Sequence, residues 1–180
     1  MIKTLKEILL SVFSLLTSII MWIPITWIRR LYVKLFVGEM GRGVYIARNV
    51  DIRKPRNIII GDNVIINKRV LLDGRGGVLK IGDNVDIAQD VNIWTLTHDP
   101  NDSNHAPIGK PVTIESHVWI GARSTIMPGV SIQRGAVIGT NAVVTKNVGP
   151  LDIVGGIPAK VIGRRNNQLQ YEFKYNPWLI

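Results

Sequence analysis

From residue 44 onward, runs of the chain place an aliphatic residue at every sixth position. The anchors are Ile46, Ile52; Ile60, Ile66, Leu72; Ile81, Ile87, Ile93; and, after a gap, Ile114, Ile120, Ile126, Ile132, Ile138, Val144. Four residues after most anchors stands a small or β-branched residue: Val50, Val64, Val70, Val85, Val91, Thr97, Val118, Ser124, Val130, Ala136, Ala142, Val148. A period of six is neither that of a helix nor that of an alternating strand. It demands short flat strands joined by tight corners, each anchor pointing to a common axis and stacking on the next turn. The intervening Gly61-Asp62-Asn63, Gly82-Asp83-Asn84 and Gly139-Thr140-Asn141 are residues that tolerate positive φ at such corners. No turn buries its own anchors, so stability comes from stacked neighbours. The spacing predicts an all-β solenoid over residues 38–163 and leaves its hand open.

Before the repeat, residues 8–28 carry no charge. The run is long enough to cross a bilayer as a helix. Lys3 and Lys6 precede it, Arg29, Arg30 and Lys34 follow it, and Trp22 and Trp27 sit near its end. Pro24 should break the helix, and Ser11, Ser14 and Ser18 give it a mildly polar stripe. Residues 1–37 are therefore read as an apolar helical segment that spans a membrane, lies in its interface, or packs on the protein itself.

The balance of residues narrows the chemistry. No Cys is present, which excludes disulfides, thiolate metal sites and a Cys nucleophile and fits the cytoplasm. The net charge of +9 favours anionic partners: a phosphorylated cofactor or an anionic membrane face. No nucleic-acid-binding motif accompanies that charge, so nucleic acid is not expected.

The blocks IGDNV, VWIGARSTIMPGVSI, AVIGTNAVVTKNV and GGIPAKVIG resemble the bacterial hexapeptide-repeat acyltransferases. The likeness is strongest to the maltose and galactoside O-acetyltransferases and to those of colanic acid and other exopolysaccharide synthesis. It implies a left-handed parallel β-helix, acetyl-CoA as donor, and a homotrimer with active sites between subunits.

Breaks in a regular repeat are where function is expected. The largest follows Ile93: position 99 is no anchor, and the hexads resume at Ile114. The insert DPNDSNHAPIGKPVT, with three prolines, should project from the coil. His98 stands just before it. Removing a proton from a hydroxyl as it attacks a thioester suits an imidazole, which titrates near neutrality; the alternative is a surface His beside a turn. The segment THDP resembles the catalytic His segment of the galactoside-type enzymes, which implies that His98 is the general base. His105, inside the insert, could orient a substrate or the loop, or be merely solvated. His117 lies at a coil corner, where capping of backbone groups is expected. The three histidines lie 7 and 12 residues apart, without the paired spacing of metal-dependent β-helix enzymes, so no metal is expected. Asp73 marks a smaller break rich in glycine. By resemblance it matches a carboxylate that holds sugar hydroxyls, with Asn67 near it; an Asx turn is the alternative.

Small residues at Gly121, Ala122, Gly139 and Thr140 would let a pantetheine arm approach the backbone, though glycines also serve as plain corners. By resemblance Trp119, Ala122, Thr140, Thr145 and Lys146 lie along the coenzyme A path. Lys160 and Arg164 are placed to meet its phosphates. Residues 164–180 are expected to cap the coil end. The sequence thus reads as an O-acetyltransferase acting on a sugar or glycan precursor, at the cytoplasmic face of the membrane or in the cytoplasm. N-acetylation of an amino-sugar nucleotide and a non-catalytic membrane-bound scaffold are the alternatives.

Overall fold

The computed structural model describes residues 2–175 and 177–179, apart from the side chains at 2, 3, 6 and 10, so the Lys3 and Lys6 charges lie outside it. Two helices, α1 (Ile2–Trp22) and α2 (Thr26–Phe36), precede a parallel β-helix of triangular section. Its first face stacks β1 (Glu39–Met40), β4 (Ile58–Ile60), β7 (Leu79–Ile81), β12 (Val112–Ile114) and β15 (Ser131–Ile132). The second stacks β2 (Tyr45–Ile46), β5 (Ile65–Ile66), β8 (Asp86–Ile87), β13 (Trp119–Ile120), β16 (Val137–Ile138) and β18 (Asp152–Gly155), closed by antiparallel β19 (Lys160–Arg164). The third stacks β3 (Asp51–Arg53), β6 (Leu71–Asp73), β9 (Asn92–Ile93), β14 (Thr125–Ile126) and β17 (Val143–Val144). β10 (Leu96–His98) and β11 (Pro107–Gly109) form a separate antiparallel hairpin.

The hexad reading holds residue by residue. Every anchor except the half-buried Ile52 is buried, and the second set of inward positions is buried except Thr97, which the hairpin withdraws from the coil. Burial of aliphatic area at about 25 cal/mol per Å² drives this stacking. Corners adopt positive φ at Asn63, Asn84, His117 and Asn141, as the composition of the corners requires. The insert is shorter than its sequence suggests. Val112 is buried and Thr113 pairs with Lys80, so the coil resumes before Ile114.

The apolar run at residues 8–28 is not one helix. Pro24 has no N–H to donate, and α1 stops at Trp22 before α2 begins at Thr26. No helix among the described residues is long and apolar enough to cross a membrane. α2 instead closes the coil's first turn, burying Thr26, Arg29 and Val33, with Val37 buried just after it. The polarity of the coil explains the choice of Arg29. Along the faces, N–H groups donate to carbonyls of the following turn, as Tyr45 does to Val64 and Ala47 to Ile66, while corner N–H groups reach back, as Asn63 does to Arg42. The first turn is therefore left with carbonyls that no earlier turn can reach. Arginine carries only donors. Arg29 Nε donates to Ile46 O at 3.0 Å, Nη1 to Ile23 O, and Nη2 to Thr26 Oγ1 at 3.4 Å.

α1 lies across α2, with Phe13 against Tyr32 and Phe36. The C-terminal tail does not cap the far end of the coil; β19 closes that end. The tail returns along the edge between the first and second faces. Arg165 Nη1 donates to His117 O at 3.0 Å, Phe173 N to Asn84 Oδ1 at 3.3 Å, and Tyr175 meets Tyr45 edge to face. Leu179 bridges to Ile25, and Thr26 N donates to Trp178 O, so the tail ties both ends of the coil together.

Candidate functional site

The remaining two edges carry the residues singled out from the sequence. The edge between the third and first faces, here the hairpin edge, bears the inserts at residues 54–57, 74–78 and 94–111, and also the regular 145–147 corner. The edge between the second and third faces, the glycine edge, is regular.

His98 ends β10, opposite Pro107, and is exposed. His105 comes back over it: the two imidazoles stack with centroids 4.1 Å apart and planes 7° from parallel. Two Asx turns build that return. Asp99 Oδ1 accepts from Asn101 N at 2.9 Å and Asp102 Oδ1 from Asn104 N at 2.7 Å. His105 N then donates to Asp102 O, with His105 at φ +54°. His105 is exposed and stacked on His98.

Asp73 is fully buried. Its Oδ1 accepts from Arg75 Nε at 2.8 Å and Arg75 N at 3.1 Å, its Oδ2 from Thr95 N at 3.4 Å, and its carbonyl from Thr95 Oγ1 at 2.8 Å. The carboxylate holds the base of the hairpin, which is an Asx turn with a structural load and not an open sugar contact. The close approach needs glycine: a Cβ on Gly76 would strike Thr95 O, and one on Gly109 would strike Gly76 O. Asn67 is not beside Asp73. It sits on the glycine edge, donating to Ile87 O at 3.0 Å and Asp86 Oδ1 at 3.4 Å. Burial raises the Asp86 pKa above the usual carboxylate range.

The candidate coenzyme residues fall on both edges. Thr145, Lys146 and Lys160 line one cavity of about 340 Å³ at the C-terminal end of the hairpin edge. Gly121, Ala122, Gly139 and Thr140 lie on the glycine edge, where Gly121 N donates to Ile138 O and Gly139 N to Val154 O. Trp119 projects half-exposed from the second face, and Arg164 is exposed on β19. The third face separates the two groups within one chain. The two lysines make this cavity one that could hold an anionic group.

His117 is 7% exposed, with Nδ1 unpartnered. Burial, then Arg134 and Arg165, lower its pKa. It serves the tail: its carbonyl accepts from Arg165 and Tyr171, and its ring meets Tyr171 edge to face. Among the described residues no three His, Asp or Glu side chains converge as a metal site. One group escaped the sequence reading. The Arg53 and Arg75 guanidinium groups both lie over Trp94, at 5.3 and 6.0 Å. Arg53 and Trp94 each directly follow an inward position, and a cation and an aromatic there were the available signal.

Known proteins share this architecture. A family model for the bacterial transferase hexapeptide (six repeats) matches residues 111–146. The galactoside O-acetyltransferase of Escherichia coli K12 is 32% identical over 150 residues, covering 81% of this chain and 73% of that protein. The chloramphenicol acetyltransferase of Agrobacterium fabrum is 46% identical over 80 residues, which span 42% of this chain but only 38% of that protein. A hexapeptide-repeat acetyltransferase of Vibrio cholerae, solved with acetyl-CoA, superposes with a TM-score of 0.73 at 31% identity, covering 77% of each chain.

Proposed function

The chain belongs to the hexapeptide-repeat acetyltransferase family, and on that premise we propose that it moves an acetyl group from acetyl-CoA to a sugar hydroxyl, with His98 as general base. The observation that carries this reading is the His98–His105 pair, held on an Asx-braced hairpin at the edge that also carries the Lys146–Lys160 cavity. In the transfer, His98 takes the hydroxyl proton. The acceptor oxygen bonds to the acetyl carbon, the carbon–sulfur bond breaks, and coenzyme A leaves as thiol. Ala122 has no side-chain donor, so only its backbone N–H is available to the developing oxyanion. A galactoside is the first acceptor class to test, since the E. coli relative bears that name. Incubation with acetyl-CoA and galactosides, maltose, amino sugars and chloramphenicol, read by mass, should give O-acetylated sugar. Acetylation of amines alone would overturn the hydroxyl reading, and turnover of none would leave a scaffold.

The site takes a second copy of the chain. The coenzyme residues on the hairpin and glycine edges cannot meet within one chain, because the third face lies between them. A homotrimer of left-handed β-helices, in which one copy's hairpin edge meets the next copy's glycine edge, joins them. Light scattering should give three chains per particle, and a fully active monomer would exclude the arrangement.

We place the enzyme at the cytoplasmic face of the membrane, in contact through α1 and α2. The support is an exposed apolar stripe, Leu5, Leu9, Val12, Leu16 and Ile19, at helical spacing. Trp22, Trp27 and Trp178 are also exposed, two flanking the α1–α2 turn and the third bonded to it. Flotation with phosphatidylglycerol vesicles should carry the protein, and recovery in the soluble fraction would assign the stripe to contact between copies.

A further inference from the structure

A cavity of about 750 Å³ lies away from His98. It opens between α1 and the exit of the first turn. Phe13 and Met21 line one wall; Arg53, Lys54 and Arg75 line the other. The two arginines are held rather than free. Arg53 Nε donates to Asp51 Oδ2 at 2.9 Å, and Arg75 Nε to the buried Asp73 at 2.8 Å. Both guanidinium carbons lie over the Trp94 ring, within cation–π range. Each arginine thus uses one end to fix itself. Nη1 and Nη2 of Arg75 and Nη1 of Arg53 have no acceptor among the described residues. Lys54 has no carboxylate within ion-pair distance among those residues and adds the one uncompensated charge.

Fixed guanidinium forks beside an unpaired ammonium match the oxygens of a phosphate, which accept several donors in fixed directions. Position adds to the chemistry. Trp94 opens the segment that becomes the His98 hairpin, so an anion held here lies on the same edge as the proposed base. The opposite wall is α1, whose outer side is the apolar stripe. A ligand passing from that wall to His98 is apolar or aromatic at one end, anionic in the middle and a sugar at the other.

We propose that this cavity holds the diphosphate of a glycosyl diphosphate acceptor. The identity of the sugar end rests on the acetyltransferase reading; the anion site does not. Such a diphosphate comes from a polyprenyl-linked sugar in the membrane or from a nucleotide sugar in solution.

Binding of farnesyl diphosphate, uridine diphosphate and farnesol to the full chain, followed by calorimetry without acetyl-CoA, tests it. At least one diphosphate should bind, and farnesol should bind far more weakly than farnesyl diphosphate. Lys54→Gln and Arg53→Gln should each weaken the diphosphate about 10- to 100-fold, the range of one lost charge-assisted contact. Both side chains are partly exposed, so the variants should keep the wild-type melting temperature and acetyl-CoA affinity. Preference for farnesyl diphosphate would identify the lipid source, and preference for uridine diphosphate the nucleotide source; either supports the cavity. Binding of neither diphosphate, equal binding of farnesol, or unchanged affinity in both variants would overturn it. A chain that binds the diphosphate but turns over no acetyl-CoA would sink the acetyltransferase reading and leave the anion site standing.

Discussion

His98→Ala should lower kcat by about 10²–10⁴-fold, the usual contribution of a positioned general base. The chain should fold as before, because the ring is exposed at the end of a hairpin strand and no described side chain hydrogen-bonds it. Acetyl-CoA affinity should be nearly unchanged, since the Lys146–Lys160 cavity lies toward the other end of the same edge. The loss should therefore appear in kcat and not in KM for acetyl-CoA. His105→Ala is the companion variant. It keeps the base and removes the ring stacked 4.1 Å from it, so its cost should be roughly tenfold, smaller than that of losing His98. Near-wild-type turnover by purified His98→Ala enzyme on an acceptor that the wild type acetylates would remove His98 from the mechanism.

Arg29→Ala should produce the largest loss of stability among single substitutions in the N-terminal segment, about 3–5 kcal/mol. The side chain is 0% exposed, and burial lowers its pKa. Its removal leaves the buried carbonyl of Ile46 and the partly buried carbonyl of Ile23 without their donor and opens a void where α2 meets the coil. For a chain of this length, the melting temperature should fall by roughly 6–20 °C. Arg29→Lys should recover only part of it, because one ammonium cannot reach Ile46 O, Ile23 O and Thr26 Oγ1 in the fork geometry of a guanidinium. A change of less than about 1 kcal/mol on thermal unfolding would mean that the first turn satisfies its carbonyls another way, and α2 would lose its role as the cap.

Both predictions depend on features that differ in how far the chain's order of residues reveals them. The six-residue period alone determined the coil, its anchors and the interruption after Ile93. That information is local: an inward position needs an aliphatic residue whatever the rest of the molecule does, and a corner needs a residue that tolerates positive φ. His98 was legible for the same reason, standing where the repeat stops. Relations between turns were not. The sequence separation of two residues does not say which edge of a triangular coil each reaches. Asp73 and Asn67 looked like neighbours but lie at opposite ends of β6, on different edges, and Asp73 turned inward because Arg75 and Thr95 were there to satisfy its carboxylate. The Arg53–Arg75–Trp94 cluster joins three successive turns; a cation and an aromatic directly after inward positions mark two of its members in the sequence, but not that they meet. The apolar run at residues 8–28 gave a length compatible with a bilayer. Only the packing decided that α2 would spend its buried face on the coil's first turn, because a parallel β-helix ends in unpaired carbonyls and Arg29 supplies donors for them. Composition and period fix what each residue needs; which neighbour meets that need is set by the stacking of turns in three dimensions.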